Sequence, residues 1–504
     1  MGVRKYYLFL IIYIIIFLSL PLEFLNSSVR RVKIPIPASE SVVVYTSRGE
    51  HISYTCKHFP DGEIYIRIQN PAEIKNQDIK LHFQPHNRED FLRLLFLAST
   101  IAEYEPKSIE VEFQNWSPAN PGEESILSAL AHFADSIRLP EEVSFSFYTR
   151  RSIPVVTAFE RIIYLNSRFQ EYAPNLGKEF NAEVVRVNIS IENSTHWETE
   201  IPGGVRDKNI LIVHSTSTAD DILNLISTLY LLRKMGAGSI TLVNTYEGYA
   251  RQDKIFRPGE GVTGYALLKV LNALSDYNIA INVHFGEKSG DVSLKDRSGG
   301  EEEVVYNLNG FRYLARGVFD HILEDYSPQE LRGKTLCLLA PDDGSYNYVK
   351  EAVQDMKEYL VQKGINMRVV AGYLNKTRIS SQRVVVENNI LGERGEELSI
   401  PKDAFFIILD DETSTGMTVK VATYHLVKAL GFNWWHIYAG IVHGKFVEGM
   451  RRFFTEGEDN TPPRFIASLD TLQIPEGIKV ISIYPLLLNS LKEFLNSNPL
   501  PLPQ

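Results

Sequence analysis

From about residue 41 the chain alternates short apolar runs with longer stretches of helical pattern. The runs include SVVVYT (41–46), NILIVH (209–214), SITLVN (239–244), TLCLLAP (335–341), AFFIILD (404–410) and IKVISIYP (478–485). Strand-length runs separated by helices predict an α/β fold with largely parallel sheets. Turn-rich, charged stretches at 286–303 and 454–464 predict exposed loops.

The pattern repeats once. Ile79–Phe113 can be laid on Ile210–Asn244 without a gap, at an offset of 210 − 79 = 131 residues. Both segments read strand, loop with an acidic helix start, amphipathic helix, strand. Further on, PGEESILSALAHFADS (121–136) is similar to PGEGVTGYALLKVLNALSD (258–276). Any two strand–helix–strand units share some of this pattern, but the gapless 35-residue match followed by a second similar segment favours an internal duplication.

Before residue 41 the pattern changes. After Arg4 and Lys5, residues 6–22 (YYLFLIIYIIIFLSLPL) carry no charge and are broken only by Pro21. That length is marginal for a spanning helix and long for a signal-peptide core. It reads as a membrane anchor or, next, as a cleaved targeting segment. Arg30, Arg31 and Lys33 put the more basic flank downstream, which favours a cytosolic body.

The 504 residues have room for two to three domains. With 52 Lys and Arg against 62 Asp and Glu, the net charge of −10 argues against nucleic acid as a partner. Cys56 and Cys337 are too few for a disulfide framework, as in a reducing compartment.

Candidate chemistry concentrates at 405–430, FFIILDDETSTGMTVKVATYHLVKAL. A strand emptying into a Gly/Thr turn at a helix start offers backbone N–H groups and a positive dipole end to a phosphate. Thr413, Ser414, Thr415, Gly416 and Thr418 would form that cradle. Asp410 and Asp411 would repel a phosphate, yet they accept hydrogen bonds from sugar hydroxyls. A ligand with a phosphate at one end and vicinal hydroxyls at the other, such as ribose 5-phosphate, suits both halves.

This stretch resembles the loop of the phosphoribosyltransferase fold, in which two acidic residues precede Thr-Gly-x-Thr. Other segments narrow the resemblance to the ribose-phosphate pyrophosphokinases. KHFPDGEIYIRI (57–68) is similar to their Phe-x-Asp-Gly-Glu turn, and YEGYARQDKIFRPGEGVTGYALLKVL (246–271) to their Tyr-Ala-Arg-Gln-Asp segment. NVHF (282–285) resembles their Asp-Leu-His triplet, LAPDDGS (339–345) their pyrophosphate loop, and NKTRISSQRV (375–384) their flexible catalytic loop. These motifs follow family order from residue 57 to about 495.

The resemblance implies tandem phosphoribosyltransferase-like domains with mainly parallel sheets, plus an extra degenerate N-terminal half-repeat. It implies transfer of pyrophosphate from ATP to ribose 5-phosphate, with Mg2+ as cofactor. Lys376 and Arg378 would act on the transferred group. Phe59, Asp61, Glu63, Arg251, Gln252 and Asp253 would bind ATP, with Phe59 stacking on adenine and Asp61 and Glu63 accepting from the base. His284 and Asp342 would bind the metal. Family members assemble, so a homo-oligomer is also implied.

Departures accompany the matches. Asn282 stands for the Asp of the triplet, Ser345 for a loop glycine and Met417 for the second glycine of the ribose-phosphate loop. FPDGE and ARQD lie 251 − 59 = 192 positions apart, more than the family needs. The duplication accounts for the gap, since each copy keeps what the other lacks. Residues 41–158 would then be a tethered half-subunit that lends Phe59, Asp61 and Glu63 to the second copy. The expected organisation is an anchor or targeting segment (1–25), a linker (26–40), the degenerate copy (41–158), a domain carrying ARQD (159–325) and a ribose-phosphate domain (326–495). Two other readings stay open: a non-catalytic regulatory homologue binding nucleotide or ribose phosphate, and a phosphoribosyltransferase. A cytoplasmic or organelle-interior catalytic body follows from the need for ATP.

Overall fold

A computed structural model of the chain describes residues 9–12, 41–113, 155–165, 167–191, 196–300, 302–378, 384–455 and 460–497. The first lobe runs β1 (Phe9–Ile12), β2 (Val42–Thr46), β3 (Tyr54–His58), β4 (Ile64–Ile68), β5 (Asp78–Phe83), α1 (Glu89–Ala102) and β6 (Ser108–Phe113). Its sheet is ordered β1-β6-β5-β2, with β2 antiparallel to β5 and the other pairs parallel. Strands β3 and β4 form a separate antiparallel hairpin.

The middle lobe begins with β7 (Arg161–Tyr164), α2 (Ala173–Phe180), β8 (Glu183–Arg186) and a hairpin of β9 (Asn188–Ile191) and β10 (Trp197–Glu200). It continues with β11 (Asn209–His214), α3 (Ala219–Lys234), β12 (Ser239–Asn244), α4 (Thr263–Leu274), β13 (Tyr277–Ile281), β14 (Gly290–Lys295) and β15 (Glu302–Leu308). The third lobe holds α5 (Phe311–Asp325), β16 (Thr335–Ala340), α6 (Tyr346–Gln362), β17 (Arg368–Arg378), β18 (Val384–Leu391) and β19 (Phe405–Thr413). It ends with α7 (Met417–Tyr424), β20 (Ile437–Gly444), β21 (Phe465–Leu469), β22 (Lys479–Ile481) and α8 (Tyr484–Ser497).

The sheets of these two lobes have seven strands each, ordered β14-β15-β13-β12-β11-β7-β8 and β18-β17-β16-β19-β20-β21-β22. Only the edge strands β14 and β18 are antiparallel. The parallel strands, counted within each lobe, follow the order 2-1-3-4-5-6 in both. Such an order places a crevice beyond the carboxyl ends where the chain switches direction across the sheet, here between β16 and β19 in the third lobe. The α/β fold with mainly parallel sheets is as the apolar runs predict. The stretch 286–303 differs from its expected loop: β14 alternates between partly buried and exposed positions, with Leu294 turned inward and its charges outward.

The strands of the repeat coincide to the residue. From β5 to β11 the offsets are 209 − 78 and 214 − 83, and from β6 to β12 they are 239 − 108 and 244 − 113, all 131. The helix between starts the same way: α3 is capped by the Thr218 hydroxyl, which accepts from the Asp221 N–H, with Asp220 and Asp221 in its first turn. The copies part company elsewhere. Strand β2 runs antiparallel to β5, whereas β7 runs parallel to β11. The segment 121–136, similar in sequence to 258–276, lies outside the described residues.

The lobes are not separate bodies. One apolar core joins Leu81, Phe91, Leu94 and Leu95 of the first lobe to Ile222, Ile226, Ala266 and Val270 of α3 and α4. A second core fills the space between the two seven-stranded sheets with α5, α6 and α8. Helix α8 packs back on the middle lobe, its Phe494 ring 5.0 Å from Tyr277 and 6.2 Å from Phe159. No helix among the described residues is long and apolar enough to cross a membrane. Of the expected anchor at 6–22, only Phe9–Ile12 is described, as a strand beside β6.

The first lobe docks on the loop before α4 through polar contacts. Ile68 N–H donates to Gly259 O (2.8 Å), the Tyr65 hydroxyl to Glu260 Oε1 (2.6 Å) and Val262 N–H to Glu103 Oε1 (3.0 Å). Gly259 has φ +96°, and a Cβ there would sit 1.8 Å from Ile68 O. Gly259→Ala should therefore destabilise the protein by about 2–4 kcal/mol, read as a lower urea midpoint.

Glu103 supplies a pH signature of the same junction. Burial pushes its pKa from 4.5 up to about 7, offset in part by the Val262 N–H, and its Oε2 is buried without a partner. A raised carboxyl pKa means stability that is present below about 4.5 and lost as pH rises through about 7. Glu103→Gln should flatten that decline and raise stability at pH 8 by about 1–3 kcal/mol, checked by thermal melts at pH 5 and pH 8.

Candidate active site

The turn at 59–63 projects from the β3–β4 hairpin. Phe59 N–H donates to Glu63 O (2.8 Å) and Gly62 N–H to Phe59 O (3.0 Å), with Gly62 at φ +89°. The Phe59 ring is 37% exposed and meets Tyr65 edge-on. The side chains of Asp61 and Glu63 turn inward, each only 7% exposed.

They turn inward because the segment after β12 meets them. Tyr249 N–H donates to Glu63 Oε1 (2.8 Å), and Gln252 Nε2 donates to Glu63 Oε2 (3.1 Å) and Ile64 O (3.2 Å). Ile64 N–H donates in turn to the Tyr249 hydroxyl (3.1 Å). FPDGE and ARQD therefore interlock within one chain. The polar atoms of Glu63 and Gln252 bond each other and hold the turn against the 249–253 segment. Asp253 is nearly buried and pairs with Lys254 at 3.5 Å.

The third lobe supplies the loop after β19. Gly416 N–H donates to Thr413 Oγ1 (2.7 Å), closing a turn that Gly416 enters at φ +79°. A Cβ on Gly416 would lie 2.3 Å from the Phe453 ring, so the tight loop needs glycine. Ser414 and Thr415 occupy the loop and Thr418 the first turn of α7. Asp410 is buried at the end of the apolar part of β19. Asp411 Oδ1 accepts from Glu412 N–H (2.8 Å), while its Oδ2 meets His284 Nδ1 at 2.8 Å.

His284 thus engages Asp411, and Asp342 lies in the loop after β16. Burial opposes the His284 charge, but Asp411 outweighs it and raises the pKa to about 9. Burial likewise opposes the Asp411 charge, and His284 outweighs it to hold that carboxyl below its usual value. Among the described residues no group of three or more His, Cys, Asp or Glu is placed to hold a metal ion. An imidazole and a carboxylate suit a divalent ion that takes its other ligands from water and substrate phosphates. Binding to His284 would have to displace its proton.

Four residues of this junction were not among the candidates. Lys445, just past β20, places Nζ 3.2 Å from Asp61 Oδ2, 3.5 Å from Glu63 Oε1 and 3.2 Å from Glu412 Oε1. It lies 4.7 Å from the centre of the Tyr246 ring. The Tyr246 hydroxyl bridges Glu63 Oε1 (3.3 Å) and Glu412 Oε1 (3.2 Å). Arg251 Nη1 lies 4.0 Å from the same Glu412 oxygen, and its side chain is 43% exposed. His443, buried and neutral, spans Ile281 O and Thr471 Oγ1 at 2.8 Å each. Tyr246 and Glu412 fall inside the quoted motifs, whereas Lys445 and His443 carry no local signal.

Lys376 and Arg378 lie on β17, beyond a shift in register between Leu374 and Lys376, in an antiparallel arm with β18. The turn of that arm, 379–383, lies outside the described residues.

Comparison with known proteins follows the geometry. The family model for the N-terminal domain of ribose phosphate pyrophosphokinase matches residues 161–274, from β7 to the end of α4 in the middle lobe. A ribose-phosphate pyrophosphokinase of Methanosarcina acetivorans is 26% identical over 295 residues, covering 57% of this chain and 84% of the relative. Ribose-phosphate pyrophosphokinase 1 of Lactococcus lactis is 24% identical over 315 residues, covering 61% and 82%. The solved phosphoribosylpyrophosphate synthetase of Mycobacterium smegmatis aligns with a TM-score of 0.47 at 19% identity, covering 67% of this chain and 99% of that one. The chain is thus similar to ribose-phosphate pyrophosphokinases over most of their length, and part of its middle lobe matches the model of their N-terminal domain.

Proposed function

We propose that the protein transfers the β,γ-pyrophosphoryl group of ATP to the anomeric hydroxyl of ribose 5-phosphate, giving phosphoribosyl pyrophosphate and AMP. The bond from the α-phosphorus to its bridging oxygen stays with AMP, the bond from that oxygen to the β-phosphorus breaks, and the sugar oxygen bonds to the β-phosphorus as it loses its proton. The observation that carries this reading is the union, at one junction, of the 59–63 turn, the 249–253 segment and the 410–416 loop. The relatives' names supply the substrates.

In this reading Phe59 offers its exposed ring to the adenine, and Arg251 reaches toward the phosphates. Asp61, Glu63, Gln252 and Asp253 keep those two in place. Thr413, Ser414, Thr415, Gly416 and Thr418 cradle the ribose phosphate, while Asp410 and Asp411 take the ribose hydroxyls. Lys376 and Arg378 neutralise the transferred group, the main need of a phosphoryl-type transfer. His284 and Asp342 would hold Mg2+, which when bound would supply charge neutralisation for the transfer. Because the first lobe lends its turn in cis, each chain carries a whole site. The need for ATP places the catalytic body in the cytoplasm or an organelle interior, and fusing residues 1–40 to a fluorescent reporter reads whether 6–22 attaches it to a membrane.

Purified protein with ATP, Mg2+ and ribose 5-phosphate should release AMP, and tight ATP binding without AMP would sink the reading. Lys376→Ala should lower kcat by a factor of about 100 or more with little change in ATP affinity. Asp411→Asn should raise the KM for ribose 5-phosphate by about tenfold, roughly the worth of a charge-assisted hydrogen bond.

A further inference from the structure

The Lys445 side chain joins the nucleotide half of the site to the ribose-phosphate half. Its backbone N–H donates to Thr413 O (3.0 Å), and Val447 N–H donates to Ser414 O (2.8 Å), so the chain after β20 is stitched to the phosphate loop. Phe446 between them adopts φ +44°, a bend that lets this segment bond one way with its backbone while Lys445 reaches the other way with its side chain. That reach ends among Asp61, Glu63 and Glu412, with the ammonium only 8% exposed. Asp61 and Glu63 belong to the first lobe's turn, Tyr246 to the middle lobe, and Glu412 and Lys445 to the third.

We propose that Lys445 is a positioning residue that couples the two half-sites, a role that rests on the functional reading above. The phosphate loop cannot shift without moving Lys445, because Lys445 is bonded to its Thr413 carbonyl. Lys445 cannot move without unbalancing Asp61 and Glu63, which set the turn carrying Phe59. Glu412 is the shared element, held by Lys445 at 3.2 Å and the Tyr246 hydroxyl at 3.2 Å, with Arg251 at 4.0 Å. A phosphate that draws Arg251 away leaves Glu412 to Lys445 and the Tyr246 hydroxyl, so filling one half-site tightens the hub that orders the other. Coupling of this kind is reciprocal: ribose 5-phosphate strengthens nucleotide binding by the same factor as the reverse.

Titration calorimetry on the full chain tests this, with Mg2+ and an ATP analogue carrying a methylene between the α- and β-phosphates, so that no transfer occurs. In the unaltered protein the analogue should bind several-fold tighter when ribose 5-phosphate is present. Lys445→Met should erase that difference and weaken analogue binding alone by tenfold or more. Should the single variant fail to fold because three carboxylates lose their counter-charge, the double variant Lys445→Met/Glu412→Gln removes one of them. The double variant should recover melting temperature and single-ligand affinity, yet remain uncoupled, an outcome that a purely structural lysine would not give. Coupling that survives in either variant overturns the proposal and leaves the functional reading standing. An unaltered protein that binds both ligands without coupling does the same. An unaltered protein that binds neither ligand overturns the functional reading itself, and this proposal with it.

Discussion

A buried ammonium surrounded by three carboxylates is the constraint on which the site depends. Asp61, Glu63 and Glu412 would repel one another at their observed spacing, and a buried unpaired carboxylate costs several kcal/mol. Lys445 makes their burial tolerable, at about 4 kcal/mol of attraction per close pair in a medium of intermediate polarity. Even so, burial raises the pKa of Glu63, with Lys445 opposing it. The remaining lone pairs are taken by the Tyr246 hydroxyl, the Tyr249 N–H and the Gln252 amide. Polar groups so fully engaged fix geometry more than they add stability, and the groups engaged here come from all three lobes.

The apolar cores put those lobes within reach. One joins the first lobe to α3 and α4, and the other fills the layer between the two seven-stranded sheets. Parallel sheets leave their loops at the carboxyl ends of the strands, so β12, β13, β16, β19 and β20 all discharge toward the same region. Rigid strand ends carry Asp411, His284 and Lys445. By contrast, Lys376 and Arg378 lie on an edge arm bonded only to β18 beyond the register shift.

The two matching strand–helix–strand units meet at this junction. The two hairpins exchange contacts: β4 packs on the loop before α4, and Trp197 of β10 lies beneath the Arg88 guanidinium (4.8 Å) and meets Phe91 edge-on (5.4 Å) at the start of α1. Each copy's hairpin thus touches the other copy. Only the first copy's hairpin carries FPDGE, and only the second copy continues into ARQD. The family model begins at β7, so the lobe that contributes Phe59 lies outside the matched segment.

Much of this was legible in the chain itself. Period and composition determined the alternation of strands and helices, since burying parallel strands demands uninterrupted apolar runs. The offset of 131 determined the repeat, because strand length and spacing survive when individual residues do not. Motif order located the 59–63 turn, the 249–253 segment and the 410–418 loop, each a local backbone device written in neighbouring residues. Tertiary structure alone decided which polar groups face a ligand and which face each other. Glu63 and Gln252 bond together although 189 positions separate them, and His284 meets Asp411 across 127 positions. Lys445 follows an ordinary buried strand and announces nothing, because a lysine beside a glycine reads as a solvated turn until three distant carboxylates arrive around it. Electrostatic partnership depends on distance through space, and that quantity exists only once the lobes have packed.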